Sequence, residues 1–178
     1  MNTFSMEPML PTDPKSELGD LALEVVSTAS TLAGQVPGRV QDAIGDLVRS
    51  MNCYFSNLIE GHDTHPRDID RALADDYSPD ASRRVLQLEA RAHIEVQRLI
   101  DAGQDPASAP TETSYLQWLH REFCSRLPEE LLSIENPDTG QRIRVEPGEF
   151  RTSGVQVGRH IPPGADDLPA FLRRFEEA

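Results

Sequence analysis

The sequence predicts a mainly α-helical domain with a small β-hairpin. Apolar residues recur at three- and four-residue spacing over long stretches, as in Val40, Ile44, Leu47, Val48, Met51, Phe55, Leu58 and Ile59. Gly, Pro and capping residues stand between these stretches. Only after Pro128 does the pattern turn to short alternating runs, set between the turn signals Asn136-Pro-Asp-Thr-Gly140 and Pro147-Gly148.

Residues 1–15 carry Pro8, Pro11 and Pro14 with little apolar periodicity, and read as a mobile tail. Ser16 can cap a first helix, with Glu17 and Asp20 near the positive end of its dipole; Gly34, Pro37 and Gly38 interrupt the chain after it. A longer helix runs from about Arg39 to Glu60 and stops at Gly61, in the manner of a C′ glycine. Pro66 suits the first turn of a short helix through Leu73. Asp80 or Ser82 opens the next helix, which reaches Ile100. Thr113 caps another from Ser114 to about Leu127, with Tyr115, Leu116, Trp118, Leu119, Phe123 and Cys124 as core candidates. Arg142 to Val145 suits a short strand, and Val155 and Val157 alternate in a second, from Phe150 to Gly158; the two would pair as a flap. Leu168, Phe171, Leu172 and Phe175 form a last helical stripe. It is either an ordinary docking helix or a pattern cut short.

The formal net charge of -13 disfavours a broad nucleic-acid or anionic-membrane surface. No stretch approaches the length of a membrane span, and the start lacks a basic region followed by an apolar run, so a cytoplasmic location is expected. Cys53 and Cys124 lie in apolar helical contexts and read as buried free thiols. His62, Asp63 and His65 lack the helical spacing of a zinc site, so no metal is expected. His120 stands one turn before Cys124, but beside Trp118 a packed cysteine is the better reading than a nucleophile. Arg83, Arg84, Arg91 and Arg98 read as a solvated helix face.

Three stretches carry a family resemblance. Ser56-Asn57-Leu58-Ile59-Glu60-Gly61 follows the pattern Ser or Thr, three residues, Glu, then Gly or Asn. Tyr115 to Cys124 reads YLQWLHREFC, with a Leu-His-Arg core. Pro147-Gly-Glu-Phe-Arg-Thr-Ser-Gly-Val-Gln-Val-Gly158 is followed by Pro162-Pro163 and Leu168-Pro169. In this order, from about Val40 to Phe175, the chain resembles the N-terminal region of the Fic (filamentation induced by cAMP) family of AMP transferases.

The resemblance implies a Fic-like helical bundle with a β-hairpin flap. It divides the chain into the tail 1–15, an N-terminal helical region 16–110 with the inhibitory helix, and the start of the Fic domain with its flap, 111–178. Ser56, Glu60 and Gly61 become the inhibitory residues; in the family that glutamate pairs with the second arginine of the catalytic motif, which otherwise holds the γ-phosphate of ATP. Val155, Gln156 and Val157 become target-docking positions on the flap, or else simply fill a core; His160 and Arg159 fall near it. The family's catalytic motif, H-P-F-x-x-G-N-G-R-x-x-R, does not occur in these 178 residues, so no catalytic residue is assigned. His65-Pro66 continues as Arg67-Asp68-Ile69-Asp70-Arg71 and lacks the glycines that cradle phosphate. ATP and Mg are the cofactors of a complete member, with none expected in this chain.

The implied role is the N-terminal portion of a protein adenylyltransferase with an autoinhibitory Glu, inactive as this isolated chain. The alternative is a non-enzymatic helical module, or an inhibitor acting in trans on a Fic catalytic domain. The implied partners are a target protein or a catalytic Fic segment. A homo-oligomer is compatible with either role; nucleic acid and membrane are not expected.

Overall fold

The computed structural model describes residues 17–62, 64–135, 139–156, 159 and 161–177. The expected tail, 1–15, lies outside them. Among the described residues the periodic segments become helices α1 (Glu17–Gln35), α2 (Gly38–Ile59), α3 (Pro66–Leu73), α4 (Ala81–Asp101), α5 (Thr113–Cys124) and α6 (Leu168–Glu177). Gln41 Nε2 reaches back from α2 to the carbonyls of Ala33 (2.7 Å) and Val36 (2.6 Å), satisfying acceptors that the end of α1 leaves open. Pro66 opens α3 as its first residue, where a missing N–H costs nothing. Asp80 caps α4, its Oδ1 accepting the Arg83 N–H at 2.9 Å.

At α5 the cap differs from expectation. Thr113 is the first helical residue and Glu112 holds the cap position, without a capping side-chain bond. The Thr113 N–H is instead satisfied across the fold, by Glu176 Oε1 of α6 at 2.7 Å. A carboxylate at a helix N-terminus meets both an orphan donor and the favourable end of the dipole. Its bonds to Thr113 hold the Glu176 carboxyl below the usual carboxylate range. The contact fastens α6 to α5, and Leu168, Phe171, Leu172 and Phe175 are half-buried.

The small sheet also differs. Strand β1 (Ser133–Glu135) pairs antiparallel with β2 (Arg142–Arg144), in the register Ser133↔Arg144, Ile134↔Ile143 and Glu135↔Arg142. The partner of β2 thus precedes it in the chain, and residues 150–156 form no strand. The pairing within 133–144 closes a short loop, the cheapest kind to form. In the later segment, Arg151 bonds the carbonyls of Ser153 (2.8 Å) and Pro163, drawing the backbone into a loop.

The core lies where α2, α3 and α4 meet. Cys53, Ile69, Ala90 and Ile94 are fully buried there, with Tyr54 and Leu73 packed against them. Both cysteines are buried and free, as expected. Burial pushes the Cys53 thiol up to about 11. Helix α4 is central, since α2, α3 and α5 all pack on it. Ion pairs brace it on two sides. Arg49 of α2 binds Asp46 and Asp101, and Asp46 also accepts from Arg98 at 2.9 Å. On the other side Arg91 binds Asp75, Glu95 and the Tyr77 hydroxyl, while Arg126 of α5 binds Glu95 and Glu122. Arg91 and Arg98, read from sequence as part of a solvated face, are therefore engaged.

Helix α2 packs by an unexpected face. Gly45, Arg49, Cys53 and Asn57 recur every four residues and turn inward, although two of the four are polar. Its apolar stripe, from Val40 through Ile44, Leu47, Met51 and Phe55 to Ile59, is exposed, reaching 84% at Ile59. Helix α1 buries no residue at all. The amphipathic pattern that identified α2 thus marks a surface, while the face that packs carries Gly45, Arg49, Cys53 and Asn57.

Candidate functional site

The ending of α2 builds the site. Glu60 is its C-cap residue, and Gly61 follows with φ +79. The Gly61 N–H donates to the Leu58 carbonyl at 3.1 Å and the His62 N–H to the Asn57 carbonyl at 2.7 Å. This pair of bonds is a Schellman closure, which requires a left-handed residue at its turn. Gly and Asn adopt that conformation most readily. The last place of the hexapeptide pattern, Gly or Asn, therefore has a backbone reason. Open space surrounds Gly61, so a side chain there meets only conformational strain. We expect Gly61→Ala to cost about 1 kcal/mol and Gly61→Asn less, read as shifts of the urea midpoint. Equal midpoints for the two variants would contradict this.

The closure aims the end of α2 into an open groove of about 310 Å³ lined by Ser56, Asn57, Glu60, His62, Glu89, His93 and Phe123. Ser56 lies one helical turn before Glu60, and its carbonyl accepts the Glu60 N–H at 3.1 Å. Asn57 turns inward and donates from Nδ2 to the buried Thr64 hydroxyl at 3.2 Å, fixing the loop behind the site. Across the groove, His62 Nδ1 stands 3.5 Å from Glu89 Oε2. No hydrogen bond or ion pair reaches the Glu60 carboxylate among the described residues. Two carboxylates thus line one wall-to-wall cleft, a setting that attracts a guanidinium and repels phosphate.

Burial pushes the His93 imidazole below its ordinary value, because the charged form loses hydration. The unfolded chain therefore takes up this proton more readily than the fold does. Stability from this group is complete above the ordinary histidine value of 6.5 and declines as pH falls below it. Glu60, His62 and Glu89 are the titratable groups that share the groove with His93. We expect the urea midpoint to drop between about pH 7 and pH 5, and to drop less in His93→Phe. An identical profile in the variant would contradict the assignment.

Ser56, Glu60 and Gly61 come together at one helix end, as the sequence implied. Val155 and Gln156 are exposed, lie outside this groove and belong to no strand; Val157 and His160 fall outside the described residues. Glu89, His93 and Phe123 were missed. Glu89 and His93 are an i, i+4 pair on α4, a spacing visible in sequence, but only the packing of α4 on α2 gives it meaning.

Among the described residues no group of three His, Cys, Asp or Glu could hold a metal ion. His65 and Pro66 are the cap and first residue of α3. Burial raises the Cys124 thiol, the opposite of an activated nucleophile. No helix among the described residues is long and apolar enough to cross a membrane.

Comparison with known proteins finds short partial matches. The protein adenylyltransferase Fic of Culex quinquefasciatus is 49% identical over 47 residues, 26% of this chain and 9% of that protein. Its counterpart in Drosophila willistoni is 40% identical over 48 residues, 27% of this chain and 10% of the relative. In Drosophila mojavensis the match is 35% identical over 74 residues, 42% of this chain and 14% of the relative. The matches thus span only 9 to 14% of the length of these relatives. No protein-family model and no solved structure matches the chain.

Proposed function

We propose that this chain is the N-terminal portion of a Fic-type protein adenylyltransferase, with Glu60 as its autoinhibitory carboxylate. One observation carries the reading: Ser56 and Glu60 share the closing turn of α2 and line one groove, held there by the Gly61 closure. The partial similarity to Fic adenylyltransferases supports it.

In a complete protein of this kind, AMP passes from ATP-Mg to a Ser, Thr or Tyr hydroxyl of a target protein. Glu60 pairs with an arginine of the catalytic region that would otherwise hold the terminal phosphate. The pairing withdraws a cation from the nucleotide and sets a carboxylate near phosphate charge. ATP then lies in a pose unsuited to in-line attack. The exposed apolar stripe of α2, which leads directly to Glu60, is the surface a catalytic region would cover. That region is joined in cis or docks in trans; the stripe also favours the second reading, an inhibitor that docks onto a separate catalytic domain.

The 178 residues contain neither the family's general base nor its phosphate cradle. The chain alone is expected to transfer no AMP from labelled ATP to proteins or to itself. Sustained transfer that is abolished by a substitution within this chain would overturn the proposal.

A further inference from the structure

Two of the three stretches that carry the family resemblance meet where Gly148 lies on α5. His120 of α5 accepts the Gly148 backbone N–H at its Nδ1, at 2.8 Å. Its Nε2 lies 3.4 Å from Cys124 Sγ. A backbone N–H can only donate, so Nδ1 carries no proton and Nε2–H points at the sulfur. The imidazole is thus spanned between a helix and a loop in one defined tautomer.

The loop is shaped to receive it. Gly148 is buried and has φ +85. A Cβ at this position would lie 2.8 Å from Arg121 Nε and 3.2 Å from Arg121 Cβ. Both its backbone conformation and its packing on α5 therefore call for glycine. Pro147-Gly148 is not simply a turn signal; it is the point at which the chain is set down on α5. Beyond it, Arg151 ties the loop to itself through Ser153 and Pro163, and no strand ladder secures residues 150–156.

We propose that His120 is a positioning residue for the segment 147–156, fixing its height and direction on α5 through the Gly148 amide. On the reading of Val155, Gln156 and Val157 as target-docking positions, on which this inference rests, the imidazole presents that segment to an extended target peptide. Main-chain pairing of this kind aligns a hydroxyl only if the docking backbone is itself held in place. His120 touches neither nucleotide nor target in this role.

The test begins on the chain itself. Nitrogen-15 spectra of the His120 ring should report the Nε2–H tautomer; an Nδ1–H tautomer would overturn the proposal whatever happens to any variant. Amide exchange at Gly148 should quicken about 10-fold or more in His120→Ala, given the usual worth of one buried hydrogen bond. It should be largely restored in His120→Asn, whose side-chain oxygen occupies the Nδ1 position, and not in His120→Gln. The Ser78 amide, bonded to Gln87 of α4, should keep its protection in all three and so reports an intact fold. Unchanged Gly148 exchange in His120→Ala, or equal exchange in the Asn and Gln variants, would overturn the latch. In a form joined to a catalytic region, His120→Ala should raise KM for the target protein while leaving KM for ATP unchanged, with rescue by His120→Asn. A normal target KM alongside a broken latch would overturn the positioning role. The functional reading fails separately, if substituting Glu60 in that form has no effect.

Discussion

Replacing Gln87 with leucine is expected to lower the stability of the fold by about 3 kcal/mol, through loss of hydrogen bonds to buried backbone. Gln87 is fully buried, an unusual place for an amide side chain. Its Oε1 accepts the Ser78 N–H at 2.7 Å, and its Nε2 donates to the carbonyls of Asp68 at 3.1 Å and Asp76 at 3.3 Å. One side chain thus joins α3, the 74–80 loop and α4. Leucine fits the volume but satisfies none of these groups. The Ser78 N–H suffers most, because the residue is buried and an amide has a single donor. For a chain of this length the thermal midpoint should fall by roughly 6–12 °C. Gln87→Glu keeps the acceptor for Ser78 and loses the two donated bonds, so its defect should have a different partition between the two sides of the loop. A change below about 1 kcal/mol in Gln87→Leu would mean that the network contributes nothing net.

Much of this architecture was legible in the sequence, and the exceptions have physical reasons. Pro66 and Gly61 announced helix ends through backbone chemistry that is purely local, and the structure places both as read; of Asp80 and Ser82, the two starts the sequence offered for α4, Asp80 is the cap. Thr113 failed as a cap because the helix begins one residue earlier than read: Thr113 is already its first helical residue, and its own N–H is held by the distant carboxylate of Glu176. The partner of β2 was misassigned because alternation at Val155 and Val157 shows a pattern but not a pairing; residues 133–135, on the other side of the turn signal Asn136-Pro-Asp-Thr-Gly140, pair with β2 instead. The apolar stripe of α2 identified the helix correctly, yet the face that packs carries Arg49 and Asn57. Periodicity measures the segregation of side chains and says nothing of which side is covered. At the site, the Ser56–Glu60 spacing was readable, whereas Glu89, His93 and Phe123 reach the groove only through packing between helices.

Substituting Glu60 should produce the largest functional effect of any residue in the chain. Glu60 is exposed, and its side chain has no hydrogen bond or ion pair among the described residues, so Glu60→Gly should leave the fold's stability within about 0.5 kcal/mol of the parent. Its carboxylate nonetheless stands at the mouth of a groove that also holds Glu89, a site suited to a guanidinium. If that guanidinium belongs to the nucleotide site, its release restores the in-line pose, and misalignment on the ångström scale is worth about two orders of magnitude in rate. Glu60→Gln separates charge from shape, since it keeps the side chain and removes the ion pair. The decisive measurement is AMP transfer to a target protein by this chain joined to a Fic catalytic region, with Glu60, Gly or Gln at position 60. Transfer should rise about 100-fold in the Gly variant and substantially in the Gln variant; a Gly variant as slow as the parent would contradict the assignment of Glu60 as the brake.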